Sequence, residues 1–286
     1  TTRPDTPACR LRFPRTLPPR HGRLRQRNTG AANHPARPRN CLPGRGMNTR
    51  HPGPANLPQP LLNPPLVKPL RIALLNPNTN TEATRLMLES AQRVLPHWAR
   101  VEGRTAPRGT PLITNNAALD AAAQVVATYG CEVAAEGFDV VVVAGFGDPG
   151  LQVLRALLPI PVVDIAEAGI REAGAGGRRY SIVTITHDLH ASLQRSAFDY
   201  GHGSNLASIR FTQGDPLLLA NNAQALELAL LHTSQQAITH DGAQAIVIGG
   251  GPLARAANAI APQLSVPLIE PVAAAMRWAC RAEVGE

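Results

Sequence analysis

Aromatic residues are scarce in this sequence: Phe, Trp and Tyr make up only 3% of its 286 residues. A hydrophobic core must therefore consist mainly of Val, Ile, Leu and Ala, which is typical of parallel β-sheets buried between helices. The sequence contains no apolar run of about 18 residues, the length that a transmembrane helix needs. A membrane-embedded protein is therefore not expected.

Cysteine is almost as rare, with four residues, Cys9, Cys41, Cys131 and Cys280. They form no CxxC pair and no cluster with histidine, so the sequence predicts neither a zinc site nor a disulfide framework. We expect a reducing, cytoplasmic setting and no bound metal.

Acidic residues are nearly absent from the first 50 residues, which hold twelve Arg and only Asp5. The net charge of that segment is +11, whereas the net charge of the whole chain is +8, so the remaining residues carry a net charge of −3. Fifteen of the 27 prolines also lie at or before Pro69. We predict a disordered Arg/Pro-rich leader over residues 1–68, no nucleic-acid partner, and a translation start near Met47, the first methionine.

The remaining sequence repeats itself. Three apolar segments recur at offsets of 105 to 108 residues, and each has the length and the Val/Ile content of a buried strand. The paired segments are Arg71–Leu75 with Arg179–Val183, Val140–Ala144 with Ala245–Gly249, and Pro161–Asp164 with Pro267–Glu270.

This repeat predicts an α/β fold made of two pseudo-symmetric lobes that arose by internal duplication. Each lobe is expected to hold a mainly parallel sheet flanked by helices, among them helices at about 81–95 and 117–135. We place the first lobe at residues 69–167 plus 273–286 and the second at residues 168–272. The ligand cleft is expected between them.

Ligands of parallel sheets bind beyond the carboxyl ends of the strands. Four loops are predicted there: Asn76–Thr79, Gly145–Gly150, Thr184–His187 and Gly249–Pro252.

Two of these loops are rich in glycine. The first, Gly145–Gly150, fits G-x-G-x-x-G, but it follows a late strand of its half, and Asp148 would place negative charge beside a pyrophosphate. Nucleotide binding is therefore only an alternative. In the second, Gly249–Pro252, backbone amides could hold a carboxylate, or the glycines could serve only a tight turn.

Several motifs together resemble the Asp/Glu/hydantoin racemase family, most closely its hydantoin branch, from about Leu70 to the C-terminal helix. The motifs are Asn76–Thr79, Gly109-Thr-Pro-x-Ile113, Phe146–Leu151, Pro161-Val-Val163, Glu167-Ala168 and Val183-Thr184.

The resemblance implies a cofactor-independent reaction on a small carboxylate, hydantoin or amino-acid derivative. In that family, two cysteines face each other across the cleft: one thiolate removes the proton next to a carbonyl, and the other thiol returns a proton to the opposite face. The protein is also a possible homo-oligomer.

The two positions that the resemblance assigns to these cysteines are Gly145 and Gly250. Glycine supplies no base, so the two-thiol mechanism is not expected here. The alternatives are a non-catalytic small-carboxylate-binding protein or a decarboxylase-like or isomerase-like variant.

Other polar residues of the four loops are candidates for the site. As candidate acid–base groups we take Asp148, which could instead cap a helix, and His187, which could instead be an exposed loop histidine. Glu167 and Glu270 follow the proline strands, where burial would raise the pKa of a carboxyl group. The candidate substrate-binding residues are Asn76, Asn78, Phe146, Thr184, Thr186 and Gly251.

Overall fold

The structure is a computed structural model that describes residues 68–284. The predicted leader and the predicted start near Met47 lie outside the described residues, apart from Lys68.

Two four-stranded sheets with only parallel pairings form the framework, which confirms the predicted α/β class. The strand order is β2-β1-β3-β4 in the first sheet and β6-β5-β7-β8 in the second. The strands are β1 Leu70–Asn76, β2 Ala99–Thr105, β3 Val140–Val143, β4 Val162–Asp164, β5 Tyr180–Thr184, β6 Leu206–Phe211, β7 Ala245–Ile248 and β8 Leu268–Ile269.

Helices follow the strands, as the crossover connections between parallel strands require. They are α1 Thr81–Val94, α2 Asn116–Ala134, α3 Leu151–Leu157, α4 Ile165–Ala173, α5 His190–Asp199, α6 Pro216–Ala220, α7 Ala223–Asp241, α8 Ala254–Ile260 and α9 Pro271–Val284. Among the described helices, none is long and apolar enough to cross a membrane.

The two sheets share one strand order, as expected of a duplicated unit. Gly145 lies two residues beyond the end of β3, and Gly250 lies two residues beyond the end of β7. The two sheets therefore carry these two glycines at equivalent points.

The buried strands consist mainly of aliphatic residues, as the composition predicts, with Tyr180 of β5 as the aromatic exception. All four valines of β3 are fully buried, and burial of one such side chain contributes about 1.5–3 kcal/mol. The larger apolar cluster includes β3 and also Tyr180 and Ile182 of β5, so one core extends through both sheets. A smaller cluster covers the other face of the second sheet.

Helices α4 and α9 each begin after a proline strand and pack against one another. Helix α4 packs on β7 and β8 of the second sheet, whereas α9 packs on β3 and β4 of the first. A carboxylate caps both: Asp164 accepts two N–H groups at the start of α4, and Glu270 does so at the start of α9. The lobe boundaries at 167/168 and 272/273 stay a prediction.

Candidate functional site

A cavity of about 460 Å³ lies beyond the carboxyl ends of the strands and is lined by residues from both sheets. All four predicted loops contribute to it. Six candidate residues come together in its wall: Asn78, Gly145, Phe146, Thr186, Gly250 and Gly251.

Asn76 does not line this cleft, although it belongs to the first loop. Its side chain is fully buried, and its Nδ2 donates to Asn78 Oδ1 at 3.0 Å and to Thr84 Oγ1 at 2.9 Å. Its Oδ1 accepts the backbone N–H of Asn78 at 3.1 Å. Asn76 therefore holds the loop in place and does not contact a ligand in the cleft.

Asn78 is the member of this pair that a ligand can reach. Its Oδ1 accepts from Asn76 Nδ2 and from the backbone N–H of Asn80. Within the described residues, its Nδ2 has no acceptor, and Asn78 lines the cavity. The side chain can therefore donate a hydrogen bond to a ligand carbonyl.

Thr184 has a supporting role similar to that of Asn76. It is fully buried, and its hydroxyl donates to the carbonyl of Gly249 at 2.6 Å. Thr186 lies two residues later, lines the cleft, and has its Oγ1 3.3 Å from that of Thr184. Thr184 thus joins the second glycine loop to the strand that positions the Thr186 hydroxyl.

The two glycine loops offer backbone N–H groups. In the part of the chain that the structure describes, those of Gly145, Phe146 and Gly251 donate to no acceptor. Such groups around a cavity stabilise an oxygen that gains negative charge.

The two glycines to which the resemblance assigns the cysteines differ in the space around them. A Cβ at Gly145 would collide with the ring of Pro149 and lie 2.8 Å from Pro77 Cγ. A Cβ at Gly250 would meet only the flexible Leu253 side chain, at 3.2 Å. A side chain is therefore accommodated more easily at position 250.

Asp148 is not brought into the cleft and does not cap α3, whose N-cap is Gly150 without a side-chain bond. Its carboxylate accepts the Ser196 hydroxyl at 2.7 Å and borders a separate cavity of about 470 Å³. His187 is exposed and stacks on Phe211 with ring centroids 4.9 Å apart. Neither candidate acid–base group lines the cleft.

The two glutamates also have other partners. Glu167 forms ion pairs with Arg155 at 2.7 Å and Arg171 at 2.9 Å. Glu270 accepts a hydrogen bond from Ser90 and caps α9, and burial raises its pKa. Both are structural in this fold.

Apolar residues complete the cleft wall. Pro111, Ile113 and Phe146 belong to motifs that the sequence singled out, and Ile185 lies in a predicted loop. Leu86, Leu217, Leu226 and Leu253 were not predicted.

Among the residues that the structure describes, the wall contains one titratable side chain, that of Glu82, and no Arg, Lys, His or Cys. Glu82 is exposed and pairs with Arg85 at 2.5 Å, and this hydrogen bond lowers the Glu82 pKa. Cys131 and Cys280, the cysteines of the described chain, lie in α2 and α9 and do not line the cleft.

Residues 72–279 match the family model described as Asp/Glu/Hydantoin racemase. A hydantoin racemase of Paenarthrobacter aurescens is 30% identical over 216 residues, which cover 73% of this chain and 89% of the relative. A hydantoin racemase of Rhizobium meliloti is also 30% identical, over 213 residues that cover 73% and 87% of the two chains.

Two solved structures of racemases are similar to this chain in three dimensions. The allantoin racemase from Klebsiella pneumoniae aligns with a TM-score of 0.72 and 28% identity, covering 75% of this chain and 88% of that one. The allantoin racemase from Pseudomonas fluorescens aligns with a TM-score of 0.70 and 30% identity, covering 75% and 92%.

Proposed function

Because the chain belongs to the Asp/Glu/hydantoin racemase family, we propose that its cleft binds a 5-substituted hydantoin or a related small cyclic amide and promotes exchange of the proton at C5. The observation that carries this proposal is the chemistry of the cleft wall. Its described residues offer neutral donors, apolar side chains and the exposed Glu82 carboxylate, but no cation.

A neutral ring suits this wall better than a free amino acid does. An amino acid brings a carboxylate, and burying that charge without a paired cation is costly. A hydantoin presents carbonyl oxygens without a full charge. Its acceptors match the Asn78 amide, the Thr186 hydroxyl and the free N–H groups of the glycine loops.

The apolar part of the wall supports an alkyl or aryl substituent at C5. Leu217 of α6 and Leu226 of α7 lie in the cleft wall together with Ile113. Each methylene buried there contributes about 0.8 kcal/mol to binding. We therefore expect 5-isopropylhydantoin to bind more tightly than unsubstituted hydantoin.

The reaction proceeds without a side-chain base. A hydroxide ion or a buffer base takes the C5 proton, and the C–H electron pair moves into the ring as the carbonyl becomes an enolate. The N–H groups of Gly145, Phe146 and Gly251 stabilise the enolate oxygen. Water then returns a proton to either face of C5, which gives the racemic product.

Deuterium exchange at C5 tests this proposal. We expect the full chain to accelerate incorporation from D₂O into 5-isopropylhydantoin above the buffer rate, with a rate that rises with pH and is unchanged by iodoacetamide. Asn78→Ala should weaken binding about tenfold, since one hydrogen bond is lost. Asn115→Ala, at the exposed N-cap of α2, is the matched control and should change binding less than twofold.

Two outcomes would contradict the proposal. Exchange at the buffer rate with no detectable binding would exclude hydantoins as ligands. Binding without exchange would favour the non-catalytic alternative.

A further inference from the structure

Two carboxyl oxygens of the described chain are buried and accept no hydrogen bond: Asp148 Oδ1 and Asp164 Oδ2. The second oxygen of each group is well satisfied. Asp164 Oδ1 accepts the N–H groups of Ala166 at 2.7 Å and Glu167 at 3.1 Å, and Asp148 Oδ2 accepts the Ser196 hydroxyl. Each carboxyl group thus has one oxygen that accepts hydrogen bonds and one oxygen that accepts none.

The charge of Asp148 and a side-chain hydrogen bond to it both act on the Asp164 carboxyl group. Asp164 ends β4 beside Val143, the last residue of β3, and Asp148 lies in the loop that follows β3. Asp164 is fully buried and Asp148 is half-buried, so two neighbouring charges here would repel each other. One proton between the two unpartnered oxygens would remove the repulsion and give both a partner.

The surroundings favour a proton over a second charge. Burial first, and then the charge of Asp148, raise the pKa of Asp164 well above its usual range. Burial and both aspartates also raise the pKa of the neighbouring Tyr200. Among the described residues, no basic side chain forms an ion pair with Asp148 or Asp164.

Other charged groups nearby are paired elsewhere or are exposed. Glu167 also acts on Tyr200, but it is held by Arg155 and Arg171. The cavity beside Asp148 is lined in addition by three charged residues of α2 and α5: Asp120, Arg195 and Asp199.

We propose that Asp148 and Asp164 share one proton and that this hydrogen bond positions the Gly145–Gly150 loop in the cleft. The pair acts through the loop, so both are positioning residues. Their effect on ligand binding rests on the function proposed above, whereas the shared proton and the loop position do not.

The backbone of Asp148 supports this role. Asp148 has a φ of 64° and is, within the described chain, the one residue other than glycine with positive φ. This conformation costs about 1–2 kcal/mol and persists only where the surroundings enforce it. Ser196 and Asp164 supply that constraint, and Gly145 and Phe146 of the same loop line the cleft.

The proposal predicts a pH dependence with a defined sign. Because the Asp164 pKa is raised in the folded state, the pair stabilises the fold fully below the usual aspartate range of about pH 4. This stabilisation is lost as the pH rises through the raised pKa. Loss of the shared proton then loosens the loop, so ligand affinity falls over the same range.

Asp164→Asn in the full chain tests both parts. The asparagine side chain has the shape of the aspartic acid side chain. Its N–H group can replace the shared proton in the hydrogen bond, and it does not titrate. Between about pH 5 and pH 9, we expect the wild-type Tm to fall by about 3 °C more than that of the variant. The amide resonance of Gly145 should shift with pH in the wild type and stay constant in the variant.

Binding gives a third readout. The wild-type Kd for 5-isopropylhydantoin should rise about tenfold over this pH range, and that of Asp164→Asn less than twofold. Asp199→Asn removes an exposed carboxylate from the same cavity wall and is the matched control, which should follow the wild type.

An unchanged pH dependence of Tm in Asp164→Asn, or aspartate ¹³Cγ signals that all titrate in the usual range, would overturn the shared proton. A Gly145 resonance insensitive to the pair would overturn the positioning role. If no variant binds any hydantoin, the proposed function fails, but Tm and the Gly145 resonance still decide this inference. Should Asp164→Asn not fold, Asp148→Asn serves instead, because asparagine tolerates positive φ.

Discussion

The double variant Gly145→Cys/Gly250→Cys is expected to exchange the C5 proton of 5-isopropylhydantoin about 10²–10⁴ times faster than the wild type, because a positioned base contributes a factor of that order. The two glycines occupy equivalent points beyond β3 and β7, and both line the cleft. A thiolate on one side can therefore remove a proton, and a thiol on the other can supply one. Iodoacetamide should abolish the gain.

The single variants separate the two steps. Gly250→Cys should fold well and exchange deuterium faster than it racemises, because one thiol removes and returns the proton on the same face. Gly145→Cys should cost about 1–3 kcal/mol of stability, since the rings of Pro149 and Pro77 must move. Exchange is followed by NMR and racemisation by chiral chromatography.

A thiol elsewhere is the control for the double variant. Ser204→Cys adds an exposed cysteine outside the cleft and should give no gain. A folded double variant that exchanges no faster than the wild type would refute the catalytic equivalence of the two glycine positions. Iodoacetamide-sensitive exchange by the wild type would refute the base-free reaction.

The second large effect is expected for Asn76→Ala, with a loss of about 3 kcal/mol in unfolding free energy and a fall in Tm of roughly 6–12 °C. The substitution leaves Asn78, Asn80 and Thr84 without their buried partner. Hydantoin affinity should fall as well, because Asn78 loses the bonds that orient it.

Two further variants show whether the hydrogen bonds are the cause. Asn115→Ala removes a cap that accepts one N–H at 2.9 Å on the surface and should cost only about 1 kcal/mol. Asn76→Asp keeps the acceptor for the Asn78 N–H but turns an oxygen towards Asn78 Oδ1, so it should be nearly as damaging as alanine. Thermal unfolding in which Asn76→Ala loses no more than Asn115→Ala would contradict this role.

The strands at the centre of each sheet could be predicted because they are buried on both faces and therefore consist of β-branched residues. Strands β2 and β6 lie at sheet edges, where most of their residues are only half-buried. Polar residues such as Glu102 and Arg210 can occupy these edge strands, so their sequences contain no continuous run of apolar residues. Our prediction did not include these two strands.

The site was predictable in position but not in detail. The carboxyl ends of parallel strands meet at one edge, so the four loops could be placed together. The direction of each side chain depends on turn geometry: Asn76 points inward and Asn78 towards the cleft, two residues apart. Asp148 finds its partner 48 residues away in Ser196, a contact that local sequence does not reveal.

Packing of α9 on the first sheet affects how the chain folds during synthesis. Strands β3 and β4 leave the ribosome about one hundred residues before α9, which covers part of their sheet. At roughly 5–20 residues per second, that apolar face stays uncovered for about 5–20 s. A nascent chain stalled before Pro271 is thus a ready substrate for chaperones, and its aggregation should be suppressed when the missing helix is supplied in trans.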